Sequence, residues 1–139
     1  VKKKREEALK ESEEKESSLL FAIRLKEDGR FMGVLAFPWI SWSNRIGGFK
    51  LNFGVEADDA LYFEEALHMT LRYAFEELSL FHTHIWLGSQ DDAHLTRLVR
   101  AGMSVEVRQR QMVYRNGRLW DRLSVGIAQE EWLQMNLED

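Results

Sequence analysis

Residues 53–78 run Phe53-Gly54-Val55-Glu56-Ala57-Asp58-Asp59-Ala60-Leu61-Tyr62-Phe63-Glu64-Glu65-Ala66-Leu67-His68-Met69-Thr70-Leu71-Arg72-Tyr73-Ala74-Phe75-Glu76-Glu77-Leu78. Apolar side chains recur at Leu61, Phe63, Ala66, Leu67, Met69, Leu71, Ala74 and Phe75. That spacing places them on one face of a long amphipathic helix, with the stripe entering the core. Asp58-Asp59 is expected to cap its start, because a short carboxylate satisfies the free N–H groups of a first turn.

Working outward, strands flank this helix. Phe49, Leu51 and Phe53 read as a strand entered through Gly47-Gly48, and Phe81 to Leu87 as a buried strand. Leu20 to Leu25 and Phe31 to Phe37 are strand-like and joined by Glu27-Asp28-Gly29, with Pro38 expected to end the second. Trp39 and Trp42 then fall in a loop. Asp91 or Asp92 caps a second helix running to Arg100 and stopping at Gly102. Two long strands, Ser104 to Tyr114 and Leu119 to Ile127, surround the Arg115-Asn116-Gly117-Arg118 turn, and a short helix begins near Gln129. Trp86, Trp120 and Trp132 are expected in the core.

Residues 1–18 are a charged helix or linker, almost wholly Lys, Arg, Glu and Ser, with Lys2/Glu6 and Lys10/Glu14 at i,i+4 spacing. A chain of 139 residues makes one domain, and 45% hydrophobic with 30% charged residues is ordinary for a globular protein. A net charge of −4 without a basic stripe argues against nucleic acid as partner. No apolar run is long enough for a bilayer, and no signal peptide is visible. The absence of cysteine excludes disulfides and thiolate chemistry, leaving the cytoplasm as the expected location. A first residue of valine fits a processed chain or a fragment.

The elements occur in an order, and with landmarks, that resemble the GNAT superfamily of N-acetyltransferases. Within it they resemble the branch containing the ribosomal-protein N-terminal acetyltransferases. The landmarks are Phe21-Ala22-Ile23 with the turn and Gly33 that follow, then Trp42-Ser43-Asn44-Arg45. Glu65-Ala66-Leu67 leads into Tyr73-Ala74-Phe75-Glu76-Glu77-Leu78, and Arg115 to Asp121 runs on to Glu131-Trp132. The resemblance implies a GNAT-like domain over residues 19–139 of the α/β (α+β) class. Its acyl-CoA N-acyltransferase fold has a mixed, mostly antiparallel sheet flanked by helices. The family's first strand and helix are missing here. Either the chain is a fragment, or the sheet edge is covered another way, as by a second subunit in a homodimer.

The same resemblance implies acetyl-CoA as cofactor and a small-molecule amine or a protein N-terminus as acceptor. Backbone atoms of Phe53, Gly54 and Val55 would hold the pantetheine arm. The diphosphate loop, normally rich in glycine, falls on Asp58-Asp59-Ala60-Leu61-Tyr62-Phe63 and contains none. Bulk at Leu61 and Phe63 blocks close backbone approach, and Glu56, Asp58, Asp59, Glu64 and Glu65 surround the place of an anion. Later cofactor positions map to Asp91 and His94, the Gly-Phe pair to Gly102-Met103, and the family's occasional tyrosine acid to Leu98.

Candidate bases are Glu56, His82 and His84, between which spacing does not choose. Trp39 and Trp42 are candidates for the acceptor groove. His82 and His84 share a strand face and with His68 or His94 could offer imidazoles to a metal, but no carboxylate or cysteine completes a recognised ligand spacing, so no metal is expected. The glycine-free loop sets a second reading beside catalysis: an inactive GNAT-fold module for binding or dimerisation that has lost acetyl-CoA.

Overall fold

The computed structural model describes residues 18–138. Its elements are β1 (Leu19–Arg24), β2 (Phe31–Ser41), β3 (Ile46–Phe53), α1 (Glu56–Arg72), β4 (His82–Gly88), α2 (Asp92–Arg100), β5 (Ser104–Arg115), β6 (Arg118–Ala128) and α3 (Gln129–Glu138). After Arg72, α1 continues as one widened, i→i+5 turn over Tyr73–Glu77. The expected charged helix or linker, apart from Ser18, lies outside the described residues.

Six strands form one sheet in the order β1-β2-β3-β4-β6-β5. Every ladder is antiparallel except that between β3 and β4, whose connection crosses through α1. All three helices contribute to one core with Phe37, Phe49, Leu51, Leu123, Val125 and Ile127 of the strands. From α1 come Phe63, Leu67 and Leu71, from α2 Leu98, and from α3 Trp132. Burying each such side chain contributes about 1.5–3 kcal/mol, so this cluster holds the helices to one face of the sheet.

Several expectations need correction. Helix α1 begins at Glu56, two residues before the expected cap, with Val55 as its N-cap and no side-chain capping bond. The amide of Asp59 already donates to the Val55 carbonyl, so residues 58–63 form helical turns rather than a loop. Leu61 and Met69 face outward, although both were expected in the buried stripe. Pro38 does not end β2. The register shifts between Ala36 and Trp39, and that irregularity absorbs the missing N–H and carries the strand to Ser41. Trp39 therefore sits in a strand and Gly47-Gly48 inside β3. Of the three tryptophans expected in the core, only Trp132 is buried. Trp86 and Trp120 each lie under a guanidinium, from Arg122 and Arg118, both 3.9 Å from the ring centroid.

Candidate active site

Parallel pairing of β3 with β4 covers only Ile46↔His82, Gly47↔Thr83 and Gly48↔His84. Beyond it the strands part, and the β4-facing backbone of residues 49–53 has no ladder partner among the described residues. Helix α1 starts just past the end of β3 and α2 just past the end of β4. Two helix N-termini, each with free N–H groups and a positive dipole end, therefore flank a wedge with an open strand edge. Such a wedge accepts an extended chain carrying amide groups, with an anion at its mouth. The amides of residues 56–58 precede the first intrahelical bond of α1, which runs from the Asp59 N–H to the Val55 carbonyl, and they face the open end of the wedge.

Three of the five acids at that mouth, Asp58, Asp59 and Glu64, are engaged. Asp58, 5% exposed, accepts two bonds from Arg30 at 2.8 and 3.0 Å. The hydrogen bonds from Arg30 hold its carboxyl below the usual range. Asp59 accepts from Arg97 at 2.6 Å and meets His94 Nε2 at 2.8 Å. The Nδ1 atom of His94 lies 2.7 Å from Asp91, whose side chain also accepts from the His94 amide and so caps α2. Burial alone would lower the His94 pKa, but the hydrogen bonds to Asp59 and Asp91 outweigh it and raise it. Glu64 pairs with Arg100. These contacts tie α1 to α2 across the mouth and offset much of the negative charge that the sequence places there. Gln90 folds over Gly88 beside the mouth, its side-chain oxygen buried without a donor among the described residues.

A second cluster occupies the sheet face opposite the helices. Ile85 and Leu87 pack on the core, so His82, His84 and Trp86, which alternate with them, face the other way. His84 is only 8% exposed, with the rings of Trp39, His82 and Trp86 centred 5.6, 5.7 and 6.3 Å away. Burial lowers its pKa, and the neighbouring His82 lowers it further, so at neutral pH it is an uncharged imidazole able to accept a proton. His84 is also the last β4 residue paired with β3, the point from which the strands separate.

The structure thus gathers Trp39, His82 and His84 in one place, and Asp91 with His94 in another. Glu56 is exposed at the first position of α1. Phe53, Gly54 and Val55 lead from the split into that helix. Ala60 and Leu61 are exposed on α1, and Phe63 is buried beneath His94, ring centroids 4.7 Å apart. Tyr62 lines a groove of about 660 Å³ between β1 and α1. Trp42 stands exposed in the β2–β3 turn, and Leu98 is buried in the core. Arg30, Arg97 and Glu106 escaped the reading of the sequence. The first two are far in sequence from the acids they pair with, and Glu106 lies on a strand whose partner across the sheet is not encoded locally.

No group of three or more His, Asp or Glu among the described residues is placed to hold a metal ion, and no helix among them is long and apolar enough to cross a membrane. No family model matches the chain, and no curated protein matches its sequence. Solved structures do match. A spermidine N-acetyltransferase of Vibrio cholerae superposes with a TM-score of 0.81 at 17% identity, over 94% of this chain and 77% of its own. A complex of the Vibrio cholerae enzyme with coenzyme A and spermine gives 0.80 at 17%, over 92% and 75%. A dodecameric form of that enzyme, in an intermediate state, gives 0.82 at 17%, over 94% and 75%. The fold is that of the GNAT N-acetyltransferases, as the resemblance implied.

Proposed function

We propose that this chain transfers an acetyl group from acetyl-CoA to an amine, at the split between β3 and β4. The observation that carries the reading is the three-residue parallel ladder that opens into a wedge between two helix N-termini. Residues 49–53 would pair with the pantetheine arm, and the first amides of α1 would meet the diphosphate. Acetyl-CoA supplies an activated thioester. His84 is the base that the geometry favours over Glu56 and His82. It is uncharged near neutrality and sits where the strands part, under the exposed Trp39 ring. Trp39 would form one wall for the acceptor.

The acceptor classes to try are polyamines, because the structurally similar enzyme is a spermidine N-acetyltransferase, and peptide N-termini, because of the ribosomal-protein branch that the sequence resembles. The chain is further proposed to work as a homodimer, since the outer edge of β1 has no strand partner among the described residues. A particle of twice 16.4 kDa in solution is the expected mass.

One observation favours the inactive-module reading: the Asp59–Arg97–His94 tie across the mouth. Thiol release from acetyl-CoA in the presence of spermidine, spermine and short peptides separates the two. Turnover lost in His84→Ala supports the transferase. No turnover, together with no heat of binding at millimolar acetyl-CoA, would sink it.

A further inference from the structure

We infer that Glu106 and His82 are positioning residues, His82 seating the His84 ring and Glu106 balancing the charge that His84 takes up, an assignment that rests on the transferase reading above. A single row crosses five of the six strands: Trp39↔Gly48↔His84↔Gly126↔Ser104. Its second and fourth places are glycines, and each clears room for a larger side chain beside it. A Cβ on Gly126 would stand 2.1 Å from Glu106 Oε1 and 2.9 Å from His82 Nε2. A Cβ on Gly48 would stand 3.0 Å from Trp39 Nε1 and 3.2 Å from His84 Nε2. The bare backbone of β6 thus lets Glu106 reach from β5 across to β4.

Glu106 meets His82 Nε2 at 2.8 and 3.0 Å. A carboxylate only accepts, so that nitrogen carries the hydrogen, which fixes the tautomer and the ring plane. His82 in turn packs against the His84 ring. The groups facing His84 are His82 along β4 and Glu106 from β5, while β2 contributes Trp39 and the adjacent strands glycine. Lys50, two residues from Gly48 on β3, and Arg122, stacked on Trp86, are the next charges on this face.

The proton leaves the amine nitrogen as the N–C bond forms and the C–S bond breaks. His84 holds it and returns it to the departing thiolate, so none is gained or lost. With Glu106 in place, the positive charge that His84 takes up has a carboxylate near it; without Glu106 that charge stands unopposed. In a half-buried setting the unopposed charge is the costlier one.

Two measurements on the full chain test this. The first follows the His84 imidazole by NMR through a pH titration and needs no turnover. Glu106→Gln is expected to lower its midpoint by at least about 0.3 pH unit, because an attracting charge is removed. Gly126→Ala is expected to act in the same direction by pushing the carboxylate aside with its charge intact. The second is the pH profile of acetyl transfer. Glu106→Gln is expected to reduce kcat about 10-fold or more with little change in KM for acetyl-CoA, and to move the acid limb down with the NMR midpoint. An active wild type whose His84 midpoint and kcat both ignore Glu106→Gln overturns this assignment alone. A midpoint that moves while kcat stays fixed overturns it as well. A wild type inactive toward every amine removes the transferase reading and the assignment with it.

Discussion

Asp59 holds two side chains at the mouth of the split at once, Arg97 at 2.6 Å and His94 at 2.8 Å. Removing its charge frees the Arg97 guanidinium beside the first turn of α1, which favours a diphosphate there. Asp59→Asn should therefore tighten acetyl-CoA binding about 10-fold in calorimetric titration, a change within reach of one removed like charge near 4 Å. Unchanged or weaker binding would show that Asp59 does not guard the site. His94 adds a pH dependence. Its folded pKa is raised, so the tie to Asp59 and Asp91 contributes its full stability below the ordinary value of 6.5 and loses it as pH rises through the raised value. The difference in thermal midpoint between wild type and His94→Gln should be largest below pH 6.5 and shrink on the alkaline side. A difference that grows with pH would contradict the geometry.

Among the elements, the β2–β3 hairpin sets where α1 begins, and so how open the split is. Gly33 faces Phe53 in that ladder, where a Cβ would stand 2.2 Å from the Asn52 carbonyl oxygen and 3.0 Å from the Phe53 Cα. Both are backbone atoms, so no rotamer change relieves the contact. Gly33→Ala should cost about 1–3 kcal/mol in urea unfolding and shift the end of β3. A variant as stable as wild type would mean that the ladder slides freely. The elements also show why legibility was uneven. The stripe through Phe63, Leu67 and Leu71 marked α1 correctly because period 3.6 survives folding. Its N-cap was misplaced by three or four residues, because Asp58 and Asp59 resemble capping residues, and it is Arg30, Arg97 and His94, distant in sequence, that engage them instead. Likewise Pro38 reads as a stop, and only the irregular ladder between Ala36 and Trp39 lets β2 continue.

At the scale of the whole molecule, one core joins all three helices to the sheet, with Leu67 fully buried at its centre. Leu67→Ala should lower unfolding stability by about 2–5 kcal/mol while leaving the histidine cluster on the far face in place. Thermal unfolding together with the His84 resonance would check both parts. The order of strands and helices, the apolar stripes, the turns at Glu27-Asp28-Gly29 and Arg115-Asn116-Gly117-Arg118, and the missing glycines were all present in the chain as written, because each depends on neighbours a few residues away. The split of β3 from β4, the pairing of Asp58, Asp59 and Glu64 at its mouth and the row from Trp39 to Ser104 depend on residues up to 87 positions apart by number. Only the folded sheet brings these together, since pairing between strands is set by packing over the entire core rather than by any local pattern.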